Sequence, residues 1–164
     1  MLSETVYNAM NDQIKHELFS SYQYLAMSAY FEAHHLNGFA HWMRLQANEE
    51  LEHALKFYEH IHERGGRVIL QAIDQPRAEF ESPLSVFEAA LAHEQKVTGL
   101  IHRIYGLAAD ERDYASQTFL QWFVTEQVEE EKNAGDVVER LRLIGDDRAL
   151  LLLLDRELAE REGD

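Results

Sequence analysis

The chain has 164 residues, a length that predicts one domain spanning residues 1–164 with a sizeable buried core. It contains no cysteine, which excludes disulfides, iron–sulfur clusters and zinc sites built from thiolates. With 15 Lys and Arg against 30 Asp and Glu, the formal net charge is −15. Such an acidic field disfavours nucleic acids and anionic membranes as partners, and it attracts cations.

The spacing of apolar residues predicts five α-helices, at 4–35, 38–64, 84–109, 114–144 and 147–161. Apolar side chains recur at steps of three, four and seven, which places one buried stripe on each helix. Ser3 and Ser82 are expected N-caps, and Gly65 and Gly145 stand where a left-handed residue ends a helix. The expected fold is therefore all-α.

The lengths of the connections predict the topology. Short links join helices one and two and helices three and four, so each pair is expected to be antiparallel. About 18 residues, 65–82, separate the two pairs, and a link of that length can run the whole length of a bundle. We expect a four-helix bundle over 4–144 with one long crossover, followed by a short fifth helix.

Neither a secretion signal nor a membrane span is expected. The start, Met1 to Glu4, lacks the basic and apolar regions of a signal peptide. The longest apolar run, Ala149 to Leu154, is far shorter than the roughly 20 residues that span a bilayer. The expected location is the cytoplasm.

Polar residues interrupt the apolar stripes of all four long helices. They are Glu17 on the first helix, Glu50 and His53 on the second, Glu94 on the third, and Gln127 and Glu130 on the fourth. At about 1.5 Å rise per residue, the four carboxylates fall at one level, in the middle third of a bundle roughly 40 Å long.

Four buried carboxylates need positive charge nearby, because an isolated buried charge is very costly. No Lys or Arg occupies these stripes, and two divalent cations would balance four carboxylates. One imidazole with several carboxylates and no thiolate suits iron or manganese. A carboxylate-rich dinuclear site in a helical bundle is typical of iron that reacts with oxygen.

The segments Gln46–His53 and Glu126–Lys132 resemble motifs of the bacterial non-haem ferritins, and the resemblance runs nearly from end to end. The resemblance implies a ferroxidase centre in which Glu17 and His53 bind one iron, Glu50 bridges, and Glu94 and Glu130 bind the second iron. It further places Gln127 beside the metals and gives Tyr24 a hydrogen bond to a site carboxylate.

The family also implies a third iron position nearby, and the matching residues here are Glu49, Glu126, Glu129 and Glu130. It implies a hollow shell of 24 subunits that oxidises Fe(II) with oxygen or peroxide and stores it as a ferric oxyhydroxide mineral. Because Leu51 stands where haem-binding relatives carry Met, we expect no haem. Leu150 to Leu154 are expected either to meet other copies at a symmetry axis or to pack on their own bundle.

Other interpretations stay open at this point. A di-iron or di-manganese oxidase acting on another substrate would use the same carboxylates, and a non-catalytic bundle would leave them unexplained. Asp110, Glu111 and Asp113 would line an entry channel or form a solvated turn. Trp122 is expected in the core, and most of the remaining histidines, together with Glu131, on the surface.

Overall fold

The computed structural model describes residues 2–163, and within them it contains five helices and no strand. The helices are α1 (Glu4–Ala33), α2 (Asn37–Glu63), α3 (Pro83–Asp110), α4 (Tyr114–Ile144) and α5 (Arg148–Leu158). The expected four long helices and short fifth helix are confirmed. The fifth helix ends three residues earlier than predicted.

Side-chain caps set the starts of the helices. The Ser3 hydroxyl accepts from the backbone N–H of Val6, and Ser82 forms a reciprocal capping box with Ser85 ahead of α3. Asp147 accepts from two backbone N–H groups at the start of α5. At the other ends, Gly65 and Gly145 have φ of 76° and 56°, which glycine adopts without steric cost.

The helices form two antiparallel pairs, α1 with α2 and α3 with α4, and α1 also packs against α3. Two apolar clusters fill the bundle. One contains Phe31, Phe39 and Phe87 and continues to Leu158 of α5, and the other contains Met10, Phe57 and Phe123. The polar residues of the candidate site lie on the helices between the two clusters, so apolar packing closes the site at both ends.

Side chains of α1 hold the long crossover between α2 and α3 through hydrogen bonds to its backbone. The side-chain amide of Asn11 both donates to the carbonyl of Ile69 and accepts from its N–H, each at 2.9 Å. The hydroxyl of Tyr7 donates to the carbonyl of Arg67. At the other end of α1, the ring of Tyr30 packs against Phe80 at a centroid distance of 5.4 Å, so the crossover runs along the bundle to the end where α3 begins.

The fifth helix docks on the start of α2. The carboxylate of Asp155 accepts from the backbone N–H groups of Gly38 and Phe39, at 2.9 and 3.0 Å. The pattern Asn37-Gly38 predicts a turn, but the turn residue with positive φ is His35, and Gly38 lies within α2. Glycine is required there because a Cβ would come within 1.6 Å of the Asp155 carbonyl oxygen.

Within residues 2–163, no helix combines the length and apolar character needed to cross a bilayer.

We expect Gly38→Ala to lower the free energy of unfolding by about 2 kcal/mol, because the added methyl group separates α5 from α2. Gly99→Ala is the matched control, since a Cβ at this helical position meets nothing within 4 Å. The control should be neutral or stabilising. Urea unfolding followed by circular dichroism measures both, and equal stabilities would contradict the docking described above.

Candidate metal centre

Six polar side chains from four helices meet in the middle of the bundle. They are Glu17 of α1, Glu50 and His53 of α2, Glu94 of α3, and Gln127 and Glu130 of α4, and none is more than 4% exposed. The burial expected from their positions in the apolar stripes is therefore present. The carboxylates reach one another because each helix presents its residue at the same height.

The ligand atoms form two groups that share one residue. Oxygen and nitrogen atoms of Glu17, Glu50 and His53 lie within 4.8 Å of one another, and so do oxygens of Glu50, Glu94 and Glu130. The His53 Nδ1 is 3.6 Å from a carboxylate oxygen of Glu50. Glu50 thus lies between two potential cation positions, where its two oxygens can serve one cation each.

Burial makes the carboxylates difficult to ionise without a cation. Desolvation raises the pKa of Glu94 to about 7 and that of Glu130 to about 9. It raises the pKa of Glu50 well above the ordinary value, with further contributions from the charges of Glu94 and Glu17. No Lys or Arg among residues 2–163 forms an ion pair with Glu17, Glu50, Glu94 or Glu130.

Two oxygens in the site, Glu17 Oε2 and Glu50 Oε1, are buried and have no hydrogen-bond partner. An unpaired buried acceptor is unfavourable, and both belong to the same candidate cation group. Carboxylate oxygens with one imidazole form a donor set that suits Fe(II). The residues present therefore fit iron.

Neighbouring side chains donate hydrogen bonds to three of the four carboxylates, and Glu94 receives two of them. The Tyr24 hydroxyl donates to Glu94, as expected from the sequence. Gln127 donates to the Glu94 carbonyl at 3.2 Å and to its carboxylate at 3.3 Å. These hydrogen bonds hold the Glu94 carboxylate in an orientation close to the carboxylates of Glu50 and Glu130.

Two buried glutamines were not singled out from the sequence. Gln13 donates to Glu17 at 2.8 Å, and Gln46 donates to Glu130 at 2.7 Å. Each lies one turn before a site residue of its own helix, where an apolar residue would be expected. An uncharged polar residue four positions before a buried carboxylate was the available signal.

The imidazole of His53 is neutral and packed between aromatic rings. Burial, with a contribution from Lys56, lowers the pKa of His53 to about 4, so that a ring nitrogen is available to a metal. The rings of Trp122 and Phe123 lie at centroid distances of 5.3 and 5.8 Å. Trp122 is 41% exposed, so the expectation that it belongs to the core is wrong.

The residues assigned to a third iron position lie in different surroundings. Glu126 is half-buried and forms a third candidate group with His53 and Glu130. Glu49 is half-buried and forms an ion pair with Arg161. Glu129 is exposed, and within residues 2–163 neither it nor Glu49 belongs to a candidate group.

Other sequence expectations change in the structure. His60 is buried and stacks on Phe119, and His93 is half-buried with a ring nitrogen 2.6 Å from the Ser20 hydroxyl, so neither is an ordinary surface residue. Asp113, a candidate channel residue, caps α4 and pairs with Arg64 at 2.9 Å.

Three further residues named in the sequence analysis lie near the α3–α4 turn or the site. Asp110 and Glu111 are exposed. Glu131 is half-buried rather than solvated, because it accepts from the Thr98 hydroxyl at 2.6 Å.

A family model described as the ferritin-like domain matches residues 7–144. The chain belongs to the ferritin family. It is 40% identical to a bacterial non-heme ferritin of Staphylococcus saprophyticus, over all of this chain and 98% of that protein. It is 42% identical to a bacterial non-heme ferritin of Bacteroides fragilis, over 98% of this chain and all of that protein.

Solved structures of ferritins have the same fold. An open-pore ferritin from the archaeon Archaeoglobus fulgidus is 49% identical and superposes with a TM-score of 0.98, covering 99% of each chain. A variant of that ferritin, engineered to a closed form, also has a TM-score of 0.98. The ferritin-like bundle expected from the sequence is confirmed.

We expect Glu130→Gln to stabilise the metal-free protein at pH 8 by on the order of 2 kcal/mol. The pKa of Glu130 is raised to about 9 in the folded state, so the folded protein keeps a proton that the unfolded chain loses above about pH 4.5. Protonated Glu130 therefore favours folding most below pH 4.5, and this contribution to the free energy of unfolding is lost as the pH rises toward 9. Little difference between variant and parent is therefore expected at pH 4.5. Urea unfolding at the two pH values measures the effect.

Glu129→Gln makes the same charge change on the exposed face and is the control. It should alter stability by no more than about 0.5 kcal/mol at either pH. A Glu130→Gln effect of equal size at both pH values would contradict the assignment of a raised pKa to the buried carboxylate.

Proposed function

We propose that the protein oxidises Fe(II) at the buried pair of cation positions, with oxygen or peroxide as oxidant, and stores the ferric product. The proposal rests on the position of Glu50. Its buried carboxylate belongs both to the group with Glu17 and His53 and to the group with Glu94 and Glu130. Membership of the ferritin family supports iron storage and ferroxidase activity in general. Iron is the substrate and cargo of this reaction.

Two Fe(II) ions would occupy the site side by side. Glu17 and His53 bind the first ion, Glu94 and Glu130 bind the second, and Glu50 bridges them. Each ion gives up one electron to the oxidant, and the chain supplies placement and charge balance. Binding also releases protons, since the carboxylates with raised pKa must ionise to become ligands.

Neighbouring residues keep the ligands in place. Tyr24 and Gln127 hold Glu94 in one orientation through hydrogen bonds, and Gln127 lies beside the ions, where it orients oxygen or water. The aromatic packing around His53 and the apolar clusters above and below the site restrict access of bulk water.

A third iron position is also part of the proposal. Glu126 and Glu130, which belong to one candidate group, would form its inner side, and Glu49 and Glu129 would complete it from nearby positions of α2 and α4. Glu129 reaches solvent and Glu126 is half-buried, so this position would connect the buried pair with the exterior of the bundle.

Storage requires an enclosed space, and we infer a shell of 24 copies in the cytoplasm, each copy being a single domain over residues 1–164. In α5, Leu150, Leu152 and Leu153 are 44 to 59% exposed, and these apolar side chains would be covered by neighbouring copies. The ferric product would then hydrolyse to an oxyhydroxide mineral within the shell.

An oxidase acting on an organic substrate would need an apolar cavity beside the metals. Five surface cavities of 260 to 560 Å³ within residues 2–163 are lined by none of the four buried carboxylates. We therefore favour iron itself as the substrate.

We expect Glu50→Gln to slow the oxidation of Fe(II) by at least about 100-fold, because both positions lose a shared ligand. The protein is loaded with Fe(II) anaerobically and then exposed to air, while absorbance of the ferric product is followed. Glu59→Gln, which removes the same charge from an exposed position of α2, should keep the parent rate. A parent rate in Glu50→Gln would overturn the site.

The shell predicts the size of the assembly. Twenty-four copies of a 19.1 kDa chain have a mass of roughly 460 kDa, which native light scattering measures. Leu153→Glu places a charge on the exposed apolar face of α5, and it should shift the population toward smaller species. A parent protein that elutes as a monomer or dimer would contradict the shell.

A further inference from the structure

The C-terminal tail, residues 159–163, crosses α2 and is attached to it through Arg161. His41 Nε2 donates to the Arg161 carbonyl at 2.8 Å, and the guanidinium lies over the Trp42 ring, 4.7 Å from its centroid. One guanidinium nitrogen, Nη2, lies 3.2 Å from both carboxylate oxygens of Glu49. Two contacts thus hold the Arg161 side chain, and a third holds its backbone.

This contact is more sheltered than most of the ion pairs formed by Arg and Lys, and it is as sheltered as the Arg64–Asp113 pair. The side chains of Arg161 and Glu49 are 19% and 15% exposed, whereas the Arg140–Glu157 pair between α4 and α5 is 43% and 59% exposed. Leu158, directly before the tail, is buried in the apolar cluster and fixes where the tail begins. The ion pair to Glu49 is therefore less screened by solvent.

Glu49 connects the tail to the metal centre. It directly precedes Glu50 on α2, and its negative charge contributes to raising the pKa of Glu130. Trp42, Gln46 and Glu49 are spaced by four and three residues and lie along one stripe of α2. The guanidinium contacts both ends of this stripe, and Gln46 in its middle donates to Glu130.

Two unsatisfied polar groups lie at this stripe, one on Gln46 and one on the Arg161 side chain that contacts it. Arg161 Nη1 is a buried donor without a partner, and Gln46 Oε1 is a buried acceptor without a partner. Both belong to side chains that contact the carboxylates flanking the metal centre. Unpaired buried groups of this kind are costly.

We propose that Arg161 is a tethered counter-cation for the Glu49 side of the metal centre and competes there with a divalent cation. The inference rests on the proposed function. A cation bound by Glu126 and Glu130 meets repulsion from the guanidinium, which also contacts both oxygens of Glu49. Arg161 acts through Glu49 and is a positioning residue that weakens this position relative to the buried pair.

Anaerobic titration calorimetry with Co²⁺ on the assembled protein tests the proposal without iron oxidation. In Arg161→Gln, the weakest class of Co²⁺ sites should tighten by about tenfold, since one positive charge is removed close by. The two tighter sites should change by less than about threefold. Arg161→Lys keeps a positive charge and should stay within about threefold of the parent.

Arg140→Gln removes the same charge from the exposed pair and is the control, with parent affinities expected. The double variant Arg161→Gln and Glu49→Gln should bind Co²⁺ at the weakest sites no more tightly than the parent. The Glu49 carboxylate, which Arg161→Gln makes available to the cation, is absent from this variant. The inference is overturned if Arg161→Gln matches Arg140→Gln, if the lysine variant tightens equally, or if the double variant keeps the tightening.

The same titration separates the two proposals. A parent protein without the two tighter Co²⁺ sites would overturn the proposed function and, with it, the role of Arg161. Two tight sites without an effect of Arg161→Gln would overturn the role of Arg161 alone.

Discussion

Four carboxylates lie in the interior of the bundle, and no Lys or Arg of the described chain pairs with them. Ionised carboxylates at this depth are unstable without a counter-charge, which is why burial raises the pKa values of Glu50, Glu94 and Glu130. Glu17 Oε2 and Glu50 Oε1 are also buried without a hydrogen-bond partner. A pair of divalent cations, as proposed, would balance the charges and supply partners for these oxygens.

The fold satisfies this constraint by geometry. Each long helix brings a carboxylate to one level, and apolar clusters close the site at both ends. The long crossover is needed because it lets α3 begin at the far end of the bundle, and Asn11 and Tyr7 hold it along α1. The layer of buried carboxylates lowers the stability of the bundle, and the apolar packing on either side of this layer compensates for it.

Sequence periodicity was sufficient to predict the helices and the six central residues, since an ionisable side chain in an apolar stripe is conspicuous. It did not reveal contacts between distant segments. Asp155 closing on Gly38, and Arg161 closing on Glu49, join residues more than 100 positions apart. Gln46 was missed because a neutral amide can lie in either core or surface, and only its partner decides which.

The proposed iron chemistry requires two cations to share Glu50. A crystal structure of the protein loaded with Fe(II) under anaerobic conditions, with anomalous data at the iron edge, tests this claim. We predict two iron peaks about 3.5–4 Å apart, one near Glu17 and His53, and the other near Glu94 and Glu130. Iron bound only at the surface, with no peak beside Glu50, would contradict it.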